Sequence, residues 1–296
     1  MGNTLHFSLL TFHLPENCMN KQYSKDLKIG IALSGGVVRG FAHIGVLDVL
    51  EEEGLDIGIV GGASAGALIG YSYAAGMKIG RIHEMADRLA WWRLAQPVWP
   101  RSGLVTFQQL EDWLVDNLGD LHFSDLARTF VVMTSDIDTG EAFAITRGRV
   151  APAVRASCSV PGFVEPVRHL GRRLVDGAVT NNLPTKAVRH LGADYVIGVD
   201  ILKHGQRRLL GPLGTGIAAV ELMVEHSGSG MENAECIIRP NLEAETYIDF
   251  RKRERLIELG RKAAVASLPE IYAELGALSE EKETLVYANR KATVSE

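Results

Sequence analysis

A short apolar run, a glycine-rich turn and an apolar helical pattern follow one another at Lys28–Gly54 and again at Asp56–Ala75. No feature of the chain limits its fold more, because such units stack into a parallel sheet covered by helices. Lys28–Leu33 (KIGIAL) reads as a buried strand that runs straight into Ser34-Gly35-Gly36. After Arg39-Gly40 the apolar residues Phe41, Ile44, Val46, Leu47 and Leu50 recur near helical spacing up to Gly54. Asp56–Val60 is a second short strand. Gly61-Gly62 and an apolar helix from about Ala65 to Ala75 follow it.

Further strands are expected at Thr129–Ser135, Glu141–Thr146, Arg173–Val175, Tyr195–Ile201 and Cys236–Arg239, with a helix from about Gly216 to His226. The stretch Met77–Asp125 looks helical and holds all four tryptophans, Trp91, Trp92, Trp99 and Trp113. From Asp249 onward the pattern is charged and helical. Residues 1–26 lack periodicity and read as an extension, 27–270 as one α/β domain, and 271–296 as a helical tail. The 31 glycines suit tight strand-to-helix turns.

Composition removes several function classes. A net charge of -5 gives no electrostatic footprint for nucleic acid. Cys18, Cys158 and Cys236 are far apart and odd in number, which argues against a disulfide framework or a zinc site and for a reducing compartment. Met1–Pro15 has no basic leading segment, so a signal peptide is not expected. No apolar run approaches the ~20 residues that cross a bilayer. The expected location is cytoplasmic, with any membrane contact peripheral.

The segment Gly62-Ala63-Ser64-Ala65-Gly66, after a strand and before a helix, fits a nucleophile elbow. That turn is so tight that small residues must flank the serine, and it lifts the hydroxyl above the sheet edge. The helix behind Ser64 brings free N–H groups and a positive dipole end to the same place. In Ser34-Gly35-Gly36-Val37-Val38-Arg39-Gly40 a dinucleotide loop fails, because Val37 stands where the middle glycine belongs. A plain turn and an oxyanion hole both remain open there. Both loops follow adjacent strands and lie at one carboxyl edge of a parallel sheet. Asp176-Gly177-Ala178 reads by itself as a turn. Its interest is that a serine needs a base within reach.

Together Ser34–Leu47 (SGGVVRGFAHIGVL), Gly61–Gly66 (GGASAG), Ser157–Pro166 (SCSVPGFVEP), Asp176–Pro184 (DGAVTNNLP) and Glu235–Asn241 (ECIIRPN) resemble the bacterial patatin-like phospholipases. The resemblance covers about Lys28 to Ala264, with the motifs in matching order. It implies a three-layer sandwich with a mainly parallel central sheet and helices on both faces. It further implies a Ser–Asp dyad. Ser64 would attack an ester carbonyl, Asp176 would take its proton and later activate water, and amides around Gly35, Gly36, Arg39 and Gly40 would form the oxyanion hole. Gly62 and Gly66 would frame the elbow, Gly177 and Ala178 the acid turn. The family's commonest loop has a third glycine where this chain has Val37, whose branched side chain disfavours positive φ.

A Ser–acid–His order would nominate His190, His204 or His226, none of which lies in a turn-like motif at a strand end. His43 reads as a packed or capping residue. Arg39 could hold a phosphate or carboxylate, or anchor the loop. Ser157, Cys158 and Ser159 would shape a pocket wall, and the Trp91–Trp113 region reads as core packing of a helical insertion, or as a lid or interfacial surface. Asp136, Asp138 and Glu141 flank Thr139-Gly140 and read as a hairpin, not a metal cluster. The leading expectation is a phospholipase A, lysophospholipase or carboxylesterase with no metal or organic cofactor. A short-chain ester or thioester hydrolase, a weakly catalytic regulatory protein and a nucleotide binder are the alternatives. The natural substrate, positional preference and oligomeric state are not legible.

Overall fold

The computed structural model describes residues 23–88, 94–99, 101–202, 211–227, 230–242 and 250–294. Trp91, Trp92, His204 and most of the expected N-terminal extension lie outside them. Residues Leu27–Ser267 form one compact unit that contains the whole main sheet. The described residues outside it, at the two ends, belong to another, in which Ser24 N–H donates to Ser279 Oγ at 2.8 Å.

In chain order the strands are β1 (Ile29–Leu33), β2 (Ile57–Ala63), β3 (Gln96–Pro97), β4 (Val105–Thr106), β5 (Thr129–Asp136), β6 (Ala142–Ile145), β7 (Val167–His169), β8 (Arg172–Asp176), β9 (Tyr195–Val199) and β10 (Cys236–Ile238). The helices are α1 (Phe41–Glu52), α2 (Ala65–Ala74), α3 (Ile79–Arg88), α4 (Gln108–Leu118), α5 (Val150–Ser157), α6 (Ala178–Asn181), α7 (Thr185–His190), α8 (Gly211–His226) and α9 (Arg253–Val294).

The main sheet runs β10-β9-β1-β2-β5-β8-β7, with β6 also paired to β5. From β10 to β5 every pairing is parallel. β6, β7 and β8 pair antiparallel, which makes the sheet mixed but mostly parallel. β1 shows why a continuous apolar run becomes a central strand: each of its residues is buried, and helices take up both faces. On one face Ile59, Ala63, Val131 and Met133 pack with Leu183 and Val188 of the α7 region. The neighbouring residues Val60 and Phe130 point to the opposite face, where they meet Gly70 of α2. Helices thus cover both faces, as the fold class requires.

α2 is buried along its whole length, so it is apolar all round and carries no amphipathic stripe. Among the described residues no helix is long and apolar enough to cross a membrane. The expected helical stretch Met77–Asp125 is interrupted by the short antiparallel pair β3–β4. β7 and α5 carry no expectation from the sequence. The acidic trio closes the β5–β6 hairpin: Gly140 N–H donates to the Asp136 carbonyl at 2.8 Å, Asp136 pairs with Arg172 and Asp138 with Arg173.

Candidate active site

At the carboxyl end of β2 the chain passes into α2 through a single residue, Ser64, whose φ is 51° and ψ -121°. Non-glycine residues rarely take positive φ, and such strain persists only where the surroundings hold it. Gly66 shows how tight the turn is: a Cβ there would lie 2.2 Å from the Leu33 carbonyl oxygen. Ser64 N–H donates to Ser157 Oγ at 2.8 Å, and Ser157 donates in turn to the Met133 carbonyl at 2.6 Å. The backbone of the elbow is therefore fastened to β5 through α5. The Ser64 carbonyl accepts the N–H groups of Ala67 and Leu68. Among the described residues no hydrogen bond engages the amides of Ala65 and Gly66.

Asp176 arrives from the other side of the sheet, at the end of antiparallel β8, opposite Thr134 of β5. Its N–H donates to the Ser159 carbonyl at 2.9 Å, and its carbonyl accepts Ser135 Oγ–H at 2.8 Å. The carboxylate is then divided between two donors: Oδ1 accepts Ala178 N–H at 2.9 Å and Oδ2 accepts Ser64 Oγ–H at 2.7 Å. Burial pushes the carboxyl up to about 6, against the opposing pull of the Ala178 and Ser64 donors. A buried carboxylate with that affinity for a proton, bonded to a strained serine hydroxyl, is equipped to accept the hydroxyl proton.

The loop after β1 lies against both groups. Ser34 is tied on three sides: its N–H donates to the Val199 carbonyl at 3.1 Å, its Oγ accepts Ile201 N–H at 3.0 Å, and its carbonyl accepts His43 Nε2–H at 2.8 Å. Two of the amides expected to face substrate are engaged within the protein. Gly35 N–H donates to Asn182 Oδ1 at 2.9 Å, and Arg39 N–H closes a 3-10 turn onto the Gly36 carbonyl at 3.0 Å. That turn, Val37–Gly40, draws the Arg39 amide back along the chain. Among the described residues no hydrogen bond engages the amides of Gly36 and Val37. Gly40 abuts the elbow, since a Cβ there would lie 2.7 Å from Ala65 Cβ. The Arg39 side chain is fully buried and donates to the Leu242 carbonyl at 3.0 Å, which is the loop-anchoring role.

Comparison with known proteins fits this arrangement. The family model described as patatin-like phospholipase matches residues 31–189, more than half of the chain. This chain belongs to the patatin-like phospholipase family. Lysophospholipase NTE1 of Coccidioides immitis is 34% identical over 179 residues, 58% of this chain and 11% of that protein. A patatin-like phospholipase domain-containing protein of Caenorhabditis elegans, ZK370.4, is 28% identical over 89% of this chain and 22% of its own length. An uncharacterized NTE family protein of Mycobacterium bovis is 30% identical over 60% of this chain and 50% of its own length. The chain thus spans half or less of these relatives. Among solved structures, VipD of Legionella pneumophila superposes with a TM-score of 0.59 at 16% identity, over 84% of this chain and 68% of that one. Human GIVD cytosolic phospholipase A2 gives 0.50 at 14% identity, over 90% and 62%. At these identities the two structures share the family fold.

The family motifs that the sequence displays converge here: Gly62–Gly66, Ser34–Gly40 and Asp176–Ala178 meet around one hydroxyl. In the expected pocket-wall segment, Ser157 holds the backbone amide of Ser64. Asn182 was legible only as part of a motif; nothing in its spacing said that it would reach Gly35. Cys158 is buried, and burial pushes its thiol well above the ordinary range, which disfavours the thiolate. His190 and His226 are exposed at helix ends. His43 is fully buried, and burial pushes it down to about 4, so it is a neutral donor to the Ser34 carbonyl. Trp99 is 81% exposed on the β3–β4 connection and Trp113 is half-buried on α4.

Proposed function

We propose that this chain hydrolyses acyl esters of lipids, with Ser64 as nucleophile and Asp176 as the one acid–base partner. The observation that carries the reading is the 2.7 Å hydrogen bond from Ser64 Oγ to Asp176 Oδ2 at a serine held at positive φ. In the first half-reaction Asp176 takes the hydroxyl proton while Ser64 Oγ attacks the ester carbonyl carbon. The charge that develops on the carbonyl oxygen is received by backbone amides, for which Gly36, Val37 and Ala65 are the unengaged candidates. Collapse breaks the ester C–O bond, the alcohol leaves with the proton held by Asp176, and Ser64 remains acylated. Asp176 then deprotonates water, which releases the carboxylic acid and restores Ser64.

The lysophospholipase named among the relatives favours a lipid with one acyl chain as substrate. Residues 27–270 would make up the hydrolase domain, with contact to the lipid surface peripheral. The likeness to the bacterial members rests on the motifs and on the mycobacterial relative.

Hydrolysis of a p-nitrophenyl ester series from acetyl to palmitoyl, by wild type and Ser64→Ala, tests the reading. The expected result is turnover that rises with chain length and vanishes in the variant. A best rate on acetyl would move the substrate to short esters or thioesters, and an active Ser64→Ala protein would remove the mechanism.

A further inference from the structure

Asn182 stands six residues beyond Asp176, at the end of the single turn α6 that follows the acid. It is 4% exposed, and its side-chain oxygen accepts Gly35 N–H in the buried interior. Gly35 sits where three groups meet. A Cβ on it would lie 3.0 Å from Asn182 Oδ1, 3.1 Å from Ala178 Cβ and 3.1 Å from Ser64 Cβ. A side chain at that position would be crowded on three sides, and the Gly35 amide is the group that fastens the loop to Asn182.

We infer that Asn182 is a positioning residue for the oxyanion loop, which it locks to the acid turn so that the amides after Gly35 keep their place beside Ser64. Three anchors on Ser34 hold the loop from the sheet side. The Ser34 carbonyl and the Gly35 N–H belong to one planar peptide, which His43 holds at its oxygen and Asn182 at its N–H. Because α6 follows Asp176-Gly177 directly, begins with the Ala178 donor and ends next to Asn182, one helical turn sets both the base and the loop. A neutral amide suits the task. An aspartate would offer the same acceptor oxygen, but its charge would oppose an oxyanion and raise the proton affinity of Asp176. The kinetic part of the inference rests on the hydrolase reading; the Gly35–Asn182 bond does not.

The test uses Asn182→Ala and Asn182→Asp in the full chain, with p-nitrophenyl butyrate as substrate and an alkyl trifluoromethyl ketone as tetrahedral analogue. Backbone amide exchange at Gly35 is followed in parallel. Asn182→Ala should lose ~100-fold in kcat and in affinity for the ketone, the scale of a misplacement of about 1 Å. Its KM should stay within about twofold, and Gly35 exchange should accelerate. Asn182→Asp should keep Gly35 protected and move the acid limb of kcat/KM to higher pH. A folded Asn182→Ala protein with wild-type kcat and ketone affinity would overturn the inference, as would a wild-type Gly35 amide that exchanges without protection. If wild type cleaves no ester, the hydrolase reading falls, and Gly35 exchange alone decides whether Asn182 holds the loop.

Discussion

Two neighbouring turns contain the same irregularity and treat it in opposite ways. Ser64 after β2 and Val37 after β1 both have a φ of 51°. Ser64 is 8% exposed, its amide held by Ser157 and its hydroxyl by Asp176. Val37 is 41% exposed, and its side chain has no polar group with which to be held. Strain at Ser64 aims its hydroxyl at Asp176 and is fixed from two directions. At Val37 it follows from a loop whose other residues are pinned at Ser34, Gly35 and Arg39. Positive φ alone therefore does not mark a reactive residue; the partners around it do.

Asp176→Asn should break the Ser64 side of the comparison most completely. Asparagine can still meet Ala178 N–H but cannot take a proton, and ester turnover should fall by roughly 10³- to 10⁴-fold. The same variant should be the more stable protein. The folded carboxyl holds its proton up to about 6, above its ordinary 3.8, so the folded state binds the proton more tightly than the unfolded chain. The contribution of Asp176 to stability is therefore greatest at low pH and declines as pH rises from about 4 to about 6, by about 3 kcal/mol in all. Thermal melts at pH 8 should place Asp176→Asn above wild type by a few degrees, and wild-type kcat/KM should climb through pH 6 as the carboxyl ionises. A melting temperature below wild type at pH 8 would show that the buried charge is better compensated than its two donors suggest.

Ser157→Ala leaves Asp176 and the hydroxyl in place but deprives the Ser64 amide of its acceptor and α5 of its tie to Met133. Rate should drop by roughly 10- to 100-fold, and stability by about 1–3 kcal/mol for the unsatisfied buried groups. Urea unfolding beside initial rates measures both. Retention of full rate would mean that the elbow keeps its shape without the clamp.

The smallest effect belongs to Val37. Val37→Gly removes a left-handed β-branched residue at the cost of a more flexible unfolded chain, for a net gain of about 1 kcal/mol, or 2–4 °C in the melting temperature. Rate should stay within about twofold. A large rate change would mean that the Val37 side chain, not its amide alone, shapes the substrate path.

Much of this was legible in the residues. The two strand–glycine–helix units announce themselves through uninterrupted apolar runs, because a central parallel strand is buried on both faces. The elbow is legible because its sterics admit only small neighbours. The antiparallel half was harder to read. β7 has three residues, Val167 buried, Arg168 exposed and His169 half-buried, and its place is set by pairing with β8 rather than by any local pattern. α5 is hard to read because it is only two turns long and mixes two valines with small alanines and a proline. The Gly35–Asn182 and Ser64–Ser157 bonds join residues 147 and 93 positions apart, and no local spacing encodes them. The motifs told which residues meet; only the fold tells which amides are left over once they have met.

Covalent trapping tests the central claim most directly. Wild type and Asp176→Asn are incubated with an alkyl fluorophosphonate, and intact mass and peptide mapping locate the adduct. The account predicts a single phosphonyl group on Ser64 with loss of fluoride, formed at least about 10³-fold more slowly in Asp176→Asn. An adduct on any other residue, or labelling of Asp176→Asn at the wild-type rate, would contradict a Ser64 nucleophile activated by Asp176.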